Sequence, residues 1–277
     1  MPAMISSPFS ANAAPLLGDP KESVMGPPQT ESLSRGRRSV GEPGKYWQQN
    51  STIKIAMYEY EMDSPYVLAV KKAAGHWLPH INLKFEFVSG EEGDVRITQN
   101  LLNESDGRSA IGIDALNTPW SPTMSLPGNH LASDFDVTVM HEFGHMLGAH
   151  HAHQHPDAKI PWSMPRLEKL FTRQELQDNF LALPKDSRYE QLPYDANSVM
   201  HYSINANWTE RSWEQPSPCK LSDGDIAWAK KAYPRASGDT LSDLPSHVEL
   251  HPTPDRPTRL KVPRSKPRAA DSDCTRR

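Results

Sequence analysis

Three observations predict an α+β domain between two irregular tails. Short β-branched or alternating runs, TIKIAMY at 52–58 and LKFEFV at 83–88, have the composition and period of strands. Segments of helical periodicity with recognisable caps lie between and after them. Both ends, residues 1–45 and 235–277, carry many of the 26 prolines and almost no periodic apolar pattern, so they read as disordered extensions of a domain at 46–234. The 36% hydrophobic content, low for a packed chain, follows from these ends.

The elements follow in order from Trp47. After the first strand, Ser64-Pro65 opens a helix, with proline where no hydrogen bond is lost, Val67, Val70, Ala74 and Trp77 as the buried stripe, and Pro79 as its end. The alternating strand at 83–88 is followed by another at Asp94–Thr98. Ile111–Ile113 and Thr123–Leu126 read as shorter strands, the second as an exposed edge able to pair with an extended peptide. Ser133 and Asp136 stand at capping-box spacing before a helix over 134–147. A helix near Pro165–Phe171 comes next, then one opened by Thr172 and Glu175. The closing helix is capped by Ser222 and Asp225, buries Ile226, Ala229 and Tyr233, and stops at Pro234.

The helix over 134–147 carries the chemistry. In HEFGHMLGAHH, His141 and His145 are four residues apart and share a helix face, so both imidazoles can reach one metal ion, with Glu142 beside them. Gly148 lets the chain leave the helix at positive φ, and His151 returns as the third ligand. Three protein nitrogens leave a tetrahedral zinc one open position, the mark of a catalytic site. His150, His153 and His155 do not fall at the spacing that follows the glycine turn and read as solvated loop residues.

Composition bounds the alternatives. A net charge of −4 argues against a general nucleic-acid binder, and the basic tail (Arg256, Arg259, Lys261, Arg264, Lys266, Arg268) reads as solvated. Cys219 and Cys274 imply no disulfide framework. No stretch approaches a membrane span, and Ala11–Leu17 is too short and weak for a signal peptide. Asn50, Asn103 and Asn207 begin glycosylation sequons. The reading is a monomer with neither nucleic acid nor membrane as partner.

His141, Glu142, His145, Gly148 and His151 resemble in full the signature of the metzincin clan of zinc metallopeptidases, and Ser198–Tyr202 (SVMHY) resembles the Met-turn of astacins and serralysins. The likeness covers roughly residues 46–234 and is similar to astacin-like domains of fungi and bacteria. It implies a metzincin-type fold: a twisted mixed sheet with an edge strand over the cleft, packed on the active-site helix and further helices. It implies one catalytic Zn2+ and hydrolysis of protein or peptide substrates by a zinc-bound water that Glu142 activates. It also implies Met200 as a hydrophobic floor beneath the ligands, and Tyr202 near the metal, as an additional ligand or a donor to the oxyanion. Secretion is a further implication. One departure stands out: astacins carry glutamate directly after the third histidine, where this chain has Ala152.

Upstream, Leu16–Asp19 resembles the astacin pro-segment motif in which an aspartate occupies the zinc, and Arg35–Arg38 matches a dibasic processing site. Against these stands the plainer account of two chance matches in a tail. The rival function is a catalytically silent binding module of the same fold, which would have no need of Glu142.

Overall fold

The computed structural model describes residues 5–7, 40–58, 60–100, 106–118 and 121–235. Asp19, Arg35–Arg38, Asn103, the basic tail and Cys274 lie outside them. The strands are β1 (Ile5–Ser7), β2 (Val40–Gly41), β3 (Thr52–Met57), β4 (Lys84–Ser89), β5 (Val95–Gln99), β6 (Gly107–Ser109), β7 (Met124–Leu126) and β8 (Glu190–Gln191). The α-helices are α1 (Pro65–Ala74), α2 (Phe135–Met146), α3 (Met164–Leu167), α4 (Arg173–Asn179) and α5 (Asp223–Ala232). This is the α+β class that the sequence predicts.

The main sheet has the order β1-β6-β7-β5-β3-β4. Strands β4, β3, β5 and β7 are mutually parallel, and β6 runs antiparallel to β7. The short β1 pairs antiparallel with β6, Ile5 facing Ser109, and also approaches α4. An extended backbone is therefore accommodated between β6 and α4. Thr123–Leu126 is thus an inner strand, and the edges of the sheet are β1 and β4. In a second, two-stranded sheet β2 pairs with β8.

Helix α2 is the centre of the molecule. Eleven of its twelve residues are buried, which leaves it without a solvent face. Buried polar ends must then find partners. Trp47 Nε1 donates to Met146 O at 2.7 Å and Tyr233 OH to Leu147 O at 2.7 Å at the C-terminal end, and Trp77 Nε1 donates to Met140 O in mid-helix at 2.9 Å. The stripe Val67, Val70, Ala74 and Trp77 is fully buried, as its spacing implied. A satellite core of Leu167, Leu176 and Phe180, with Trp162, Phe171 and Trp208 against it, holds α3 and α4.

Several boundaries differ from the sequence reading, each for a local reason. Helix α1 ends at Ala74 with Gly75 as C-cap, before Pro79, which opens a separate 3-10 turn at Leu78–His80. Residues 111–113 enter a 3-10 helix at Gly112–Asn117, because Gly112 has φ 51° and packs where a Cβ would meet Lys45 O at 1.9 Å. Helix α2 is capped by Asp134, one residue beyond Ser133, so no acidic residue falls at the third position and no capping box forms. In α5 Trp228 is buried and Ile226 only half-buried, whereas the Ser222/Asp225 and Thr172/Glu175 capping boxes both form.

Candidate metal centre

His141, His145 and His151 converge, each offering a ring nitrogen within 4.8 Å of the others, and all are fully buried. The turn between the second and third is made by Gly148 at φ 98°. Gly148 N donates to His145 O at 2.8 Å and Ala149 N to Gly144 O at 2.9 Å, which closes the last turn of α2.

The partner of each ring settles its tautomer. His141 Nδ1 lies 2.8 Å from Val199 O and His145 Nδ1 2.8 Å from Ala149 O. A carbonyl only accepts, so both Nδ1 atoms carry the proton and both Nε2 atoms present lone pairs. His151 Nδ1 lies 3.2 Å from Gln154 Oε1, which gives the third ring the same tautomer. His145 Nε2 and His151 Nε2 are 3.0 Å apart, two lone pairs facing each other, an arrangement suited to a shared cation. Burial holds His141 down to about 4 and His145 and His151 well below the ordinary histidine range, which keeps the rings neutral as ligation requires. The cluster could therefore hold one zinc ion.

Glu142 projects beside it, fully buried, and among the described residues neither carboxylate oxygen has a hydrogen-bond partner. Burial first, and Asp106 second, push its carboxyl well above the ordinary value, against the opposing pull of Arg108. Gly107 of β6 packs on it so closely that a Cβ there would lie 2.5 Å from Glu142 Oε1.

Met200 is fully buried under α2, where a Cβ on Gly144 would meet its sulfur at 2.2 Å, so the glycine between the two helical histidines makes room for the methionine. The turn that carries it is held from α5. Asp225 accepts from Ser198 Oγ at 2.6 Å, Val199 N at 2.8 Å and Ser222 N at 2.9 Å, while Met200 N donates to Ser198 Oγ at 3.0 Å. Tyr202 is buried, its ring 4.3 Å from that of His151 and its hydroxyl donating to Asn179 Oδ1 at 3.4 Å. Ala152, where astacins have glutamate, is buried, and its N–H donates to Met200 O at 2.9 Å.

His150, His153 and His155 are not solvated: all three are buried. The loop after Gly148 folds under the centre instead of leaving it. His150 Nε2 meets Glu42 Oε2 at 2.8 Å, His155 Nδ1 accepts from Asp157 N at 3.0 Å, and the His153 ring lies tilted against that of Tyr202, centroids 4.2 Å apart, while its Nε2 donates to Asn179 O. His201 donates through Nδ1 to Tyr202 O at 2.7 Å and accepts from Tyr194 OH at 2.8 Å. Gly107, Gln154, Asn179 and the second role of Asp225 escaped the sequence reading. Only Asp225 left a trace there, as a cap.

The astacin peptidase family matches residues 39–215 of this chain. Zinc metalloproteinase nas-36 of Haemonchus contortus is 28% identical over 179 residues, 64% of this chain and 27% of that protein. Bone morphogenetic protein 1 of Xenopus laevis is 33% identical over 121 residues, 38% of this chain and 17% of that protein. The chain thus spans about a quarter or less of the length of these curated relatives. A solved structure of myroilysin superposes with TM-score 0.64 at 28% identity, covering 71% of this chain and 99% of that one.

Proposed function

The chain belongs to the astacin family, and from that premise we propose that it is a zinc-dependent endopeptidase in which His141, His145 and His151 hold the metal and Glu142 is the general base. The observation that carries the reading is the convergence of three rings, each with Nδ1 facing an acceptor and Nε2 facing the others, beside the buried Glu142. Zinc, when bound there, lowers the pKa of a coordinated water and polarises the scissile carbonyl.

The chain's own residues supply the rest. An extended peptide has a place between β6 and α4, where β1 already lies. Glu142 takes the proton of the attacking water and hands it to the leaving amine, a cycle suited to a carboxyl whose burial makes it hold a proton readily. Tyr202 leaves Asn179 and donates its hydroxyl to the oxyanion, and Met200 and Gly148 keep the ligands in place. We place the catalytic domain from Val40 to 234, earlier than the start at 46 expected from sequence, because Val40–Gly41 pairs with β8 and Glu42 meets His150. Secretion is supported by the family and by the exposed sequon residues Asn50 and Asn207. Among the described residues no helix is long and apolar enough to cross a membrane.

The test is Glu142→Gln. Zinc content should stay at one per chain while cleavage of a casein or peptide-library substrate falls by about 10²- to 10⁴-fold. Near wild-type turnover would remove Glu142 as the base, and zinc without cleavage in the wild type would favour the silent binding module.

A further inference from the structure

His141 and His145 are oriented by main-chain carbonyls, Val199 O and Ala149 O, which no side-chain substitution removes. His151 alone depends on a side chain, Gln154, which is buried with 1% exposed. Every polar atom of that side chain is engaged. Its oxygen faces His151 Nδ1 at 3.2 Å, and its Nε2 donates to Asp178 O at 3.1 Å and Leu181 O at 3.0 Å, carbonyls at the C-terminal end of α4. Carbonyls that end a helix lack intrahelical donors and can only accept. They force the amide nitrogen toward α4 and the amide oxygen toward His151. A flipped amide would set its own N–H against the N–H at His151 Nδ1 and leave oxygen facing oxygen at the helix end.

We infer that Gln154 is a positioning residue for the third zinc ligand, and that the C-terminal end of α4 fixes its amide so that His151 presents Nε2 to the metal. The same end of α4 receives two more groups of the centre: His153 Nε2 donates to Asn179 O, and Tyr202 OH to Asn179 Oδ1. Asn179 is itself fixed, its Nδ2 donating to Glu175 O at 3.1 Å. The satellite core beneath α4 thereby sets the ring of a ligand that lies outside it. Ala152 is apolar and gives the loop only a main-chain link to Met200, so the polar side-chain contact to the His151 ring comes from Gln154.

The inference rests on the ligand set proposed above, and the experiment separates the two. Zinc affinity is measured on the full chain by competition with a chromophoric chelator, folding by circular dichroism, and ligand geometry by the visible spectrum of the cobalt-substituted protein. Gln154→Leu should weaken zinc binding about 10- to 100-fold and alter the cobalt spectrum. Gln154→Glu keeps an acceptor for Nδ1 but loses the donor to Asp178 O and Leu181 O, so it should bind zinc more tightly than Gln154→Leu and more weakly than wild type. His151→Ala should lose zinc most heavily. A folded Gln154→Leu with wild-type affinity and spectrum, beside a His151→Ala that has lost zinc, overturns the positioning role alone. If Gln154→Leu does not fold, the near-isosteric Gln154→Met decides: weakened zinc binding with an altered cobalt spectrum supports the role, and wild-type affinity and spectrum reject it. Wild-type affinity in His151→Ala removes the ligand assignment and this inference with it.

Discussion

Asp225 ties the last helix to the metal centre, and its replacement should show in both stability and metal affinity. The carboxylate is fully buried and accepts from Ser198 Oγ, Val199 N and Ser222 N at 2.6–2.9 Å. Burial pushes it up to about 6 against the lowering effect of these donors, so at pH 8 it is ionised. Asp225→Ala strands three buried donors at about 1–2 kcal/mol each, a loss of about 3–6 kcal/mol. Asp225→Asn can keep its oxygen on the two main-chain donors, and Ser198 can turn its hydrogen aside, so that change should cost about 1–2 kcal/mol. Because Val199 O orients His141, the alanine variant should also bind zinc about tenfold or more weakly. Urea unfolding at pH 8, with zinc and with excess chelator, measures the first quantity, and chelator competition the second. An alanine variant that loses less than about 1 kcal/mol, or unfolds earlier while binding zinc as tightly as wild type, would refute the argument.

Three further outcomes are expected. Gly107→Ala places a Cβ against Glu142, so kcat should fall about 10- to 100-fold while zinc content is unchanged; loss of the metal would show that β6 supports the ligands instead. Arg96 is buried and donates to the carbonyls of Gly93, Ala115, Thr118 and Ser121, so Arg96→Met should cost about 3 kcal/mol in thermal unfolding, and a change within about 0.5 kcal/mol would mean water replaces it. His201 is held at about 4 by burial, below the 6.5 of an unfolded histidine. The unfolded chain therefore takes up its proton first. This contribution, about 3 kcal/mol, is complete above pH 6.5 and lost as pH falls from 6.5 toward 4. Denaturant titrations of wild type and His201→Gln should converge by that amount across this window, and parallel curves would reject the assignment.

The convergence of three histidines was legible because it is local: His141, His145, Gly148 and His151 span eleven residues, and helix geometry plus one glycine turn bring the three rings together. The capping boxes of α4 and α5 were legible for the same reason. Partners distant in sequence were not. Gln154 is held by carbonyls at 178 and 181, and Asp225 meets a turn 26 residues away. Strand β6, Gly-Arg-Ser, has no β propensity and exists because β7 pairs with it, whereas the β-branched Ile111–Ile113 is bent by Gly112. The extra histidines read as solvated because histidine is polar; each is buried because it meets a partner that spacing does not reveal.

The seam between the sheet side of the domain and its C-terminal part runs through the centre: His141 hangs on Val199, and Ala152 on Met200. With the proposed ligands, a bound ion would clasp that seam from within, and its loss would loosen both sides at once. If the chain is the endopeptidase proposed above, a stripped molecule would become a substrate for neighbours that kept their metal. Ageing of a stock would follow collisions between intact and stripped copies, faster when concentrated and when trace chelators are present, and it would leave fragments rather than refoldable apoprotein.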